Sequence, residues 1–365
     1  MQAFRSLSLS HFRSHLQQEV HIDSRPVVIF GCNGSGKTSI LEAVSMFSPG
    51  RGLRGARLEE MIRRPERLGW KLHGLIGLKD RSFDIEIVVR TGSSRKITFD
   101  GKLASPLDLA QIAPIIWLTP AMDRIWTESS EGRRRLLDRL TFSFNSRHAQ
   151  TTLRYQKALR ERNHLLKDHV EDDDWYDALE RQMAEAGVRV HAERRATIER
   201  LNSAQSKYET AFPTTKLELV QKDGDIPESA NDLREIFRRT RVRDRTAGRT
   251  LFGPQRTDLN AVFASKNVAA RDCSTGEQKA LLISLILSNA RAVSEIVGFP
   301  PILLLDEIAA HLDAGRRRTL HDEICAIGSQ AWMTGTGDEL FSDLGDRAQF
   351  FETREVDGMS VITSH

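Results

Sequence analysis

The chain has 365 residues, 39% of them hydrophobic and 28% charged, and a formal net charge of +3. This length predicts two domains or one domain with a large insertion, and the composition excludes a disordered or fibrous protein. Three widely spaced cysteines without a CxxC pair argue against disulfides and a zinc site. The chain has no apolar run of about 18 residues, which argues against a membrane span, and no apolar core at the N-terminus, which argues against a secretory signal. We therefore expect a cytoplasmic protein.

Near the N-terminus, an apolar segment leads directly into a glycine-rich loop. Residues 26–30 (PVVIF) predict a buried strand, and the spacing of Ile40, Val44 and Phe47 predicts a helix beginning at Lys37. The intervening GCNGSGKT fits G-x-x-x-x-G-K-[ST], in which glycines let backbone N–H groups curl around phosphates at a helix N-terminus. We therefore expect ATP to contact this loop and the start of the helix, namely Gly31, Cys32, Asn33, Gly34, Ser35, Gly36, Lys37, Thr38 and Ser39.

Two residues of this motif have more specific predicted roles. The Lys37 ammonium group is expected to reach the β- and γ-phosphates and assist catalysis, and the Thr38 hydroxyl is expected to ligate Mg²⁺. A glycine-rich turn that matches the pattern by chance is the alternative, but it would not require a strand before it and a helix after it.

The middle of the chain changes from strand-like to helical patterns. Alternating residues in 83–89, followed by a turn and a second run around 97–99, predict an antiparallel hairpin. From about 133 to 212 the chain is rich in Leu, Ala, Arg and Glu without proline, and 175–212 reads as one long helix. We therefore predict an ATPase head whose N-terminal half is 1–132 and whose C-terminal half is 246–365, separated by a helical insertion over 133–245.

Two arginine-rich stretches invite a comparison with nucleic-acid-binding surfaces. Residues 234–249 contain seven arginines against two acidic residues, and three consecutive arginines occupy 133–135. Such runs are usually solvated protein faces, so DNA contact and a plain polar surface both remain open at this point.

The final third contains a second acidic centre. Ile302-Leu303-Leu304-Leu305 predicts a buried strand that ends at Asp306 and Glu307. A strand of this kind would deliver Asp306 to the Mg²⁺ ion, while Glu307 would polarise the attacking water as a catalytic residue.

A serine loop precedes that strand by about 30 residues. Ser274 and Glu277 form a capping-box pattern at the start of a long apolar helix, which is a purely structural interpretation. The same helix N-terminus would also suit Ser274 and the Gly276 amide to sense the γ-phosphate of ATP bound to a second copy. The order of serine loop, buried helix, apolar strand and Asp-Glu favours an ATP-binding-cassette head.

Several further segments resemble the bacterial RecF family, which is related to the heads of structural-maintenance-of-chromosomes (SMC) proteins. The resemblance runs nearly end to end, and its most discriminating segment is Gly253-Pro254-Gln255-Arg256-Thr257-Asp258-Leu259. It also includes Leu9-Ser10-His11-Phe12-Arg13-Ser14, Ser48-Pro49-Gly50-Arg51-Gly52-Leu53-Arg54-Gly55-Ala56, Leu118-Thr119-Pro120 and Arg133-Arg134-Arg135-Leu136-Leu137-Asp138.

The resemblance implies an α/β ABC-type ATPase head with an inserted helical lobe. It further implies an ATP-dependent homodimer that binds single-stranded, duplex and gapped DNA, cooperates with RecR and RecO proteins and helps to load the RecA recombinase in repair and replication restart. Arg13 is expected to reach the nucleotide, as in related heads. The alternative function is an SMC-like or other cassette ATPase subunit that acts on a protein partner instead of DNA.

Four positions depart from the pattern of these relatives. Gln255 and Thr257 stand where family members usually have His and Asp. Residues 333–336 contain no switch histidine, and Thr119-Pro120 stands where an early loop often supplies a glutamine. Because fewer groups would then fix the attacking water, we expect weak ATPase activity, and the resemblance implies that this activity depends on DNA.

Overall fold

The computed structural model describes residues 2–78, 81–112, 114–208, 210–222 and 224–365. Its described residues form two compact units. Unit 1 comprises Met1–Arg124, Glu209–Pro213 and Ser274–His365, and unit 2 comprises Ile125–Tyr208 and Thr214–Cys273.

The strands and helices of both units are numbered in chain order. The strands are β1 (Gln2–Phe12), β2 (His15–His21), β3 (Val27–Phe30), β4 (Trp70–Leu78), β5 (Arg81–Val89), β6 (Lys96–Phe99), β7 (Lys102–Ala104), β8 (Ile115–Leu118), β9 (Thr215–Val220), β10 (Asp258–Phe263), β11 (Val268–Ala269), β12 (Ile302–Leu305), β13 (Ala331–Gly335), β14 (Gln349–Val356) and β15 (Met359–Ser364). The α-helices are α1 (Lys37–Ser45), α2 (Leu109–Ile112), α3 (Ser130–Phe144), α4 (Arg147–Lys167), α5 (Asp173–Lys207), α6 (Ala230–Arg239), α7 (Arg241–Ala247), α8 (Thr275–Val297) and α9 (Ala314–Ile327).

Unit 1 contains a mixed sheet with the order β15-β14-β3-β13-β12-β8, in which only β15 pairs antiparallel to its neighbour. The strands β3, β12 and β8 are buried throughout, which explains their continuous apolar sequences. Because Leu305 pairs with Met333 and Thr334 pairs with Ile29, the carboxyl ends of β3, β13 and β12 meet at one edge. Ligand sites of α/β sheets form at such an edge.

A second, antiparallel sheet of unit 1 has the order β2-β1-β4-β5-β6-β7. Its buried face shares one apolar core with α1 and the mixed sheet. Phe4 on β1 makes edge-to-face contacts with Phe47, at 5.1 Å between ring centroids, and with Trp332 on β13, at 5.9 Å. The predicted hairpin is confirmed as β5 and β6, with Ile87 opposite Ile97.

Unit 2 combines packed helices with a small antiparallel sheet of order β11-β10-β9. The helix α5 ends at Lys207, five positions before the predicted end at Phe212. Unit 2 is wider than the helical insertion predicted for 133–245, because β10 pairs with β9. The separate arm over 133–245 therefore stays a prediction.

Helix α8 is the one element in the described ranges that is long and apolar enough to cross a membrane by length and composition. It is mostly buried inside unit 1, with Leu281, Leu282 and Leu285 fully enclosed. These are the properties of a core helix.

Candidate nucleotide-binding site

The phosphate-binding loop (P-loop) connects β3 to α1. Gly31, Gly34 and Gly36 adopt φ angles of 145°, 86° and 98°, which side chains disfavour. A Cβ atom at Gly31 would lie 2.2 Å from the Thr353 carbonyl oxygen, and one at Gly36 would lie 2.5 Å from Ser360 Oγ. Gly31 and Gly36 are therefore required both by the backbone conformation and by the close approach of the β14–β15 hairpin, whereas Gly34 is favoured by its backbone conformation alone.

This hairpin supports the loop in a way that the sequence did not reveal. Ser35 Oγ lies 2.6 Å from Thr353 Oγ1, which also donates a hydrogen bond to the Phe30 carbonyl oxygen. Next to the hairpin, His15 Nε2 lies 3.2 Å from the Gly36 carbonyl oxygen. Burial lowers the pKa of His15, so a neutral imidazole supports the loop at physiological pH.

Lys37 begins α1 and folds its side chain over the P-loop. Its Nζ donates hydrogen bonds to the carbonyl oxygens of Gly31 at 2.6 Å and Cys32 at 2.8 Å. Burial lowers the pKa of Lys37, while the nearby Glu307 and Asp306 carboxylates oppose this effect. The lysine thus has no acidic hydrogen-bond partner among the described residues, and its charge remains available to a phosphate group.

Asp306 follows β12 and is nearly buried. Its Oδ1 accepts hydrogen bonds from Thr38 Oγ1 at 3.0 Å and from Thr334 Oγ1 at 2.8 Å. Burial raises the pKa of Asp306, and the Glu307 charge adds to this effect, although the two hydroxyl groups oppose it. The structure therefore brings together Thr38 and Asp306, the two residues predicted to bind the metal, across 268 positions of sequence.

Glu307 adopts a left-handed conformation with φ of 50°. Its backbone N–H donates a hydrogen bond of 2.9 Å to Thr334 Oγ1, the same oxygen that donates to Asp306. A non-glycine residue in this region costs about 1 kcal/mol or more, and such strain clusters at functional sites. Thr334 thus fixes both acidic residues from β13, where the sequence had indicated only the absence of a histidine.

Arg13 forms a bidentate ion pair with Glu42 of α1, with both nitrogen–oxygen distances at 2.7 Å. The Glu42 side chain is fully buried and also lies 3.6 Å from Arg54. Glu42 is one helical turn after Thr38, so this pair anchors the P-loop helix. Sequence reasoning missed Glu42, because an acidic residue on an otherwise apolar helix face gives no periodic signal. The predicted contact of Arg13 with the nucleotide stays a prediction.

Ser274 caps α8, as the capping-box pattern indicates. Its backbone N–H donates to Glu277 Oε2 at 2.8 Å, and Ser274 Oγ accepts a hydrogen bond of 3.4 Å from the Glu277 N–H. Ser274 and Gly276 are both exposed. The structural interpretation of this motif is confirmed, and the γ-phosphate sensor remains a prediction.

The two unusual residues of the family motif lie in unit 2 and bond within it. The Tyr155 hydroxyl donates to Gln255 Oε1, and Gln255 Nε2 donates to the Phe252 carbonyl oxygen at 2.9 Å. Thr257 is fully buried and accepts a hydrogen bond of 2.9 Å from Arg194. Both departures are therefore compatible with a well-bonded interior.

Much of the basic sequence is neutralised within unit 2. Arg241 is largely buried against Glu180 and Asp177 of α5, and Arg133 forms a bidentate pair with Asp258 at 2.8 Å. Neither stretch is therefore as basic in the folded protein as it is in the sequence.

The fold and this geometry define a class of protein. A P-loop, a parallel strand ending in Asp-Glu and a capped serine helix are arranged as in the ATPase heads of the ATP-binding-cassette type.

The family model for the RecF/RecN/SMC N-terminal domain matches residues 3–354. The chain is 44% identical to a DNA replication and repair protein RecF of Brucella suis, covering 96% of this chain and 94% of the relative. It is 43% identical to the RecF protein of Rhizobium rhizogenes, covering 94% and 95%. The chain therefore belongs to the RecF family.

Solved structures support the same fold. The recombination mediator protein RecF in the RecFOR pathway, solved as RecF-ATPrS, has a TM-score of 0.84 at 23% identity and covers 99% of this chain and 98% of its own. An Smc head domain from Pyrococcus furiosus, bound to the C-terminal domain of ScpA, has a TM-score of 0.59 at 18% identity and covers 100% and 96%. The predicted α/β head of the cassette type is thus confirmed.

Proposed function

We propose that this chain is an ATP-dependent DNA-binding clamp of replication and recombinational repair. Its relatives at 44% and 43% identity are named DNA replication and repair proteins. The single observation that carries the proposal is the hydrogen-bonded series from Thr38 through Asp306 and Thr334 to the Glu307 amide. This series joins the P-loop to the second acidic centre, which supports a shared site of ATP hydrolysis.

The residues of the P-loop have separate roles in this proposal. The backbone N–H groups between Gly31 and Ser39 hold the phosphates of ATP, and Lys37 neutralises charge on the β- and γ-phosphates. Glu307 orients the attacking water, while Thr334 holds its backbone in place. Arg13, anchored by Glu42, would approach the nucleotide from the N-terminal segment.

The oxygen atoms near the phosphate site suit Mg²⁺. Thr38 Oγ1 and Asp306 Oδ1 lie 3.0 Å apart, and Mg²⁺ prefers hard oxygen ligands together with phosphate oxygens. The buried Asp306 carboxylate has only hydroxyl partners among the described residues, so a cation would also stabilise its charge. Bound there, Mg²⁺ would neutralise the phosphate oxygens and leave the chain's own groups to orient the water.

The serine loop would complete the site across a dimer. Ser274 and Gly276 lie exposed at the N-terminus of the 23-residue helix α8, where backbone N–H groups favour an anion. We place them on the γ-phosphate held by a second copy, which gives two equivalent ATP sites about a two-fold axis. ATP then favours the closed dimer because it binds the closed state more tightly than the open one.

The closed dimer would act on gapped, single-stranded or duplex DNA in the cytoplasm. Its function would include cooperation with RecR and RecO proteins and thereby the loading of RecA, with slow hydrolysis of ATP resetting the clamp. Weak ATPase activity is expected because residues 333–336 contain no switch histidine, so fewer groups fix the attacking water. The dependence of this activity on DNA is part of the proposed clamp function.

Fluorescence anisotropy of a labelled gapped DNA tests the proposal. The Glu307→Gln variant should bind this DNA tightly with ATP and weakly with ADP, because hydrolysis cannot reopen the clamp. Adding Ser274→Arg should remove the difference, since the bulky cation blocks closure, while ATP binding to the isolated protein persists. Equal DNA affinity with ATP and ADP would refute the clamp.

A further inference from the structure

Unit 2 contains a pocket of about 260 Å³ with an excess of positive charge. Six of the side chains that line it carry a charge or a hydroxyl group, namely Ser130, Arg133, Arg134, Lys222, Arg256 and Asp258. Four of these are cationic and one is acidic, so the pocket is positive unless other acids neutralise it.

Asp258, the one acidic residue among the described residues that line the pocket, pairs with one of the arginines. Both carboxylate oxygens of Asp258 accept hydrogen bonds of 2.8 Å from Arg133. The remaining Arg133 nitrogen, Nη1, donates to the carbonyl oxygens of Ile125, Trp126 and Glu128. Arg133 and Asp258 are thus a structural pair that joins β10 to the first turn of α3.

The other three cations form no ion pair with any described residue. Arg134 is half-buried, and its Nη1 donates to Ser130 Oγ at 2.9 Å and to the Thr257 carbonyl oxygen at 2.8 Å. Burial lowers the pKa of Arg134, because its charge is desolvated without a direct counterion. Lys222 and Arg256 are both exposed, so their charges face solvent at the mouth of the pocket.

The contrast with the longer arginine stretch is informative. In residues 234–249, the arginines Arg234, Arg241 and Arg245 are paired with acidic residues near the start of α5. The pocket has fewer arginines, but its three cations without an ion pair share one small volume. A buried or crowded cation without a counterion favours an anionic ligand.

We propose that Arg134, Lys222 and Arg256 form a binding site for backbone phosphate groups of DNA. The planar guanidinium groups match phosphate oxygens in a bidentate manner, while Lys222 supplies a point charge at the rim. Since the contacts are made to phosphate, the site fixes the position of the DNA without reading its sequence. This inference rests on the proposed DNA-binding function and names the residues that carry part of it.

The test replaces the two exposed cations and leaves the half-buried Arg134 in place. The full-length Lys222→Gln, Arg256→Gln double variant is compared with wild type and with Arg243→Gln, an exposed arginine of α7 outside the pocket. The affinity for a labelled duplex is measured with ATP by fluorescence anisotropy over a range of salt concentrations. Thermal unfolding of each variant reports whether the fold is intact.

If the pocket holds two phosphates, the double variant loses about 2 units from the slope of log K against log salt concentration, and Arg243→Gln keeps the wild-type slope. The loss is the same on duplexes of different sequence. Arg256→Lys, which keeps the charge, retains most of the slope but binds less tightly because it lacks the guanidinium fork.

Three outcomes overturn the proposal in distinguishable ways. An unchanged slope in a folded double variant, with wild type binding normally, refutes the pocket alone. Wild type that does not bind DNA with any nucleotide refutes the proposed function as well. Calorimetric binding of inorganic phosphate that requires Lys222 and Arg256, while DNA affinity is unaffected, assigns the pocket to a free anion instead of DNA.

Discussion

Two regions of the molecule concentrate charged residues, and they use them in opposite ways. In unit 2, the fully buried Arg162 is neutralised by Glu180 at 3.1 Å and Asp244 at 2.8 Å. In unit 1, Lys37 donates to backbone carbonyl oxygens, and Asp306 accepts from hydroxyl groups. The charges around Arg162 neutralise one another without a ligand. Lys37 and Asp306, in contrast, form no direct ion pair with any described residue.

This difference teaches that the number of charged residues is a poor guide to function. The arginine-rich segment 234–249 attracts interest in the sequence, yet its buried members serve the packing of unit 2. A partly buried charge without a charged partner is the better indicator, because the cost of its desolvation is not offset until a ligand binds.

The largest expected effect is on the free energy of unfolding, and it comes from breaking the buried ion pairs of unit 2. Replacing Arg162 with Ala leaves Asp244 buried without its cation and removes one of the two arginines paired with Glu180, which should lower the free energy of unfolding by about 3–5 kcal/mol. Denaturant unfolding followed by circular dichroism measures the change. Arg243→Ala, at an exposed position, should change it by less than about 0.5 kcal/mol. Equal effects in the two variants would contradict a structural role for the buried network.

A moderate effect is expected where Thr334 links the two acidic residues. Thr334→Val keeps the shape of the side chain but removes the hydrogen bonds to Asp306 and from the Glu307 amide. At about 1 kcal/mol for each bond, turnover of ATP should fall at least about tenfold. The matched control is Thr336→Val, at an exposed position two residues later, which should hydrolyse ATP at the wild-type rate. Wild-type turnover in Thr334→Val would show that the hydroxyl does not position the acids.

The smallest expected effect is on the way in which the free energy of unfolding depends on pH. Burial lowers the pKa of His148, but its hydrogen bonds to Asp138 at 2.9 Å and Glu193 at 2.6 Å outweigh burial, so the pKa is raised above 6.5. The imidazolium therefore stabilises unit 2 fully below pH 6.5, and this contribution is lost as pH rises through the folded-state pKa. The half-buried His191 and the buried His321, with pKa values lowered to about 4, change charge below this window.

Denaturant unfolding, measured as the pH is raised from 6.5 through the folded-state pKa of His148, tests the role of this residue. The free energy of unfolding should decline with rising pH in wild type, and the decline should be smaller in His148→Gln. An identical pH dependence in the two proteins would contradict the paired imidazolium.

The sequence predicts those elements whose signals are local. The strand before the P-loop, the helix from Lys37, the helix capped by Ser274 and the strand 302–305 all appear as predicted. Each combines an apolar pattern with a glycine or capping motif at its end. The dipeptide Asp357-Gly358 is likewise a local hairpin signal, and it joins β14 to β15 with positive φ at both residues.

The parts that sequence reasoning missed depend on distant pairing. The strand β9 gains its partner β10 about 40 positions later, so no local turn signal marks it. Glu42 is explained by the distant residues Arg13 and Arg54, and Arg13 reaches it with a φ of 56°. Thr334 and Thr353 become informative only once parallel pairing places their strands beside β3.

The most direct test of the central claim is single-turnover hydrolysis of ATP by the Glu307→Gln variant, with ATP affinity measured in parallel. If the Thr38–Asp306–Thr334–Glu307 series forms the hydrolytic centre, the variant binds ATP within a few-fold of wild type and hydrolyses it at least about 100-fold more slowly, as expected for loss of a residue that assists proton transfer. Hydrolysis at the wild-type rate with normal ATP binding would contradict this assignment and place the catalytic group elsewhere.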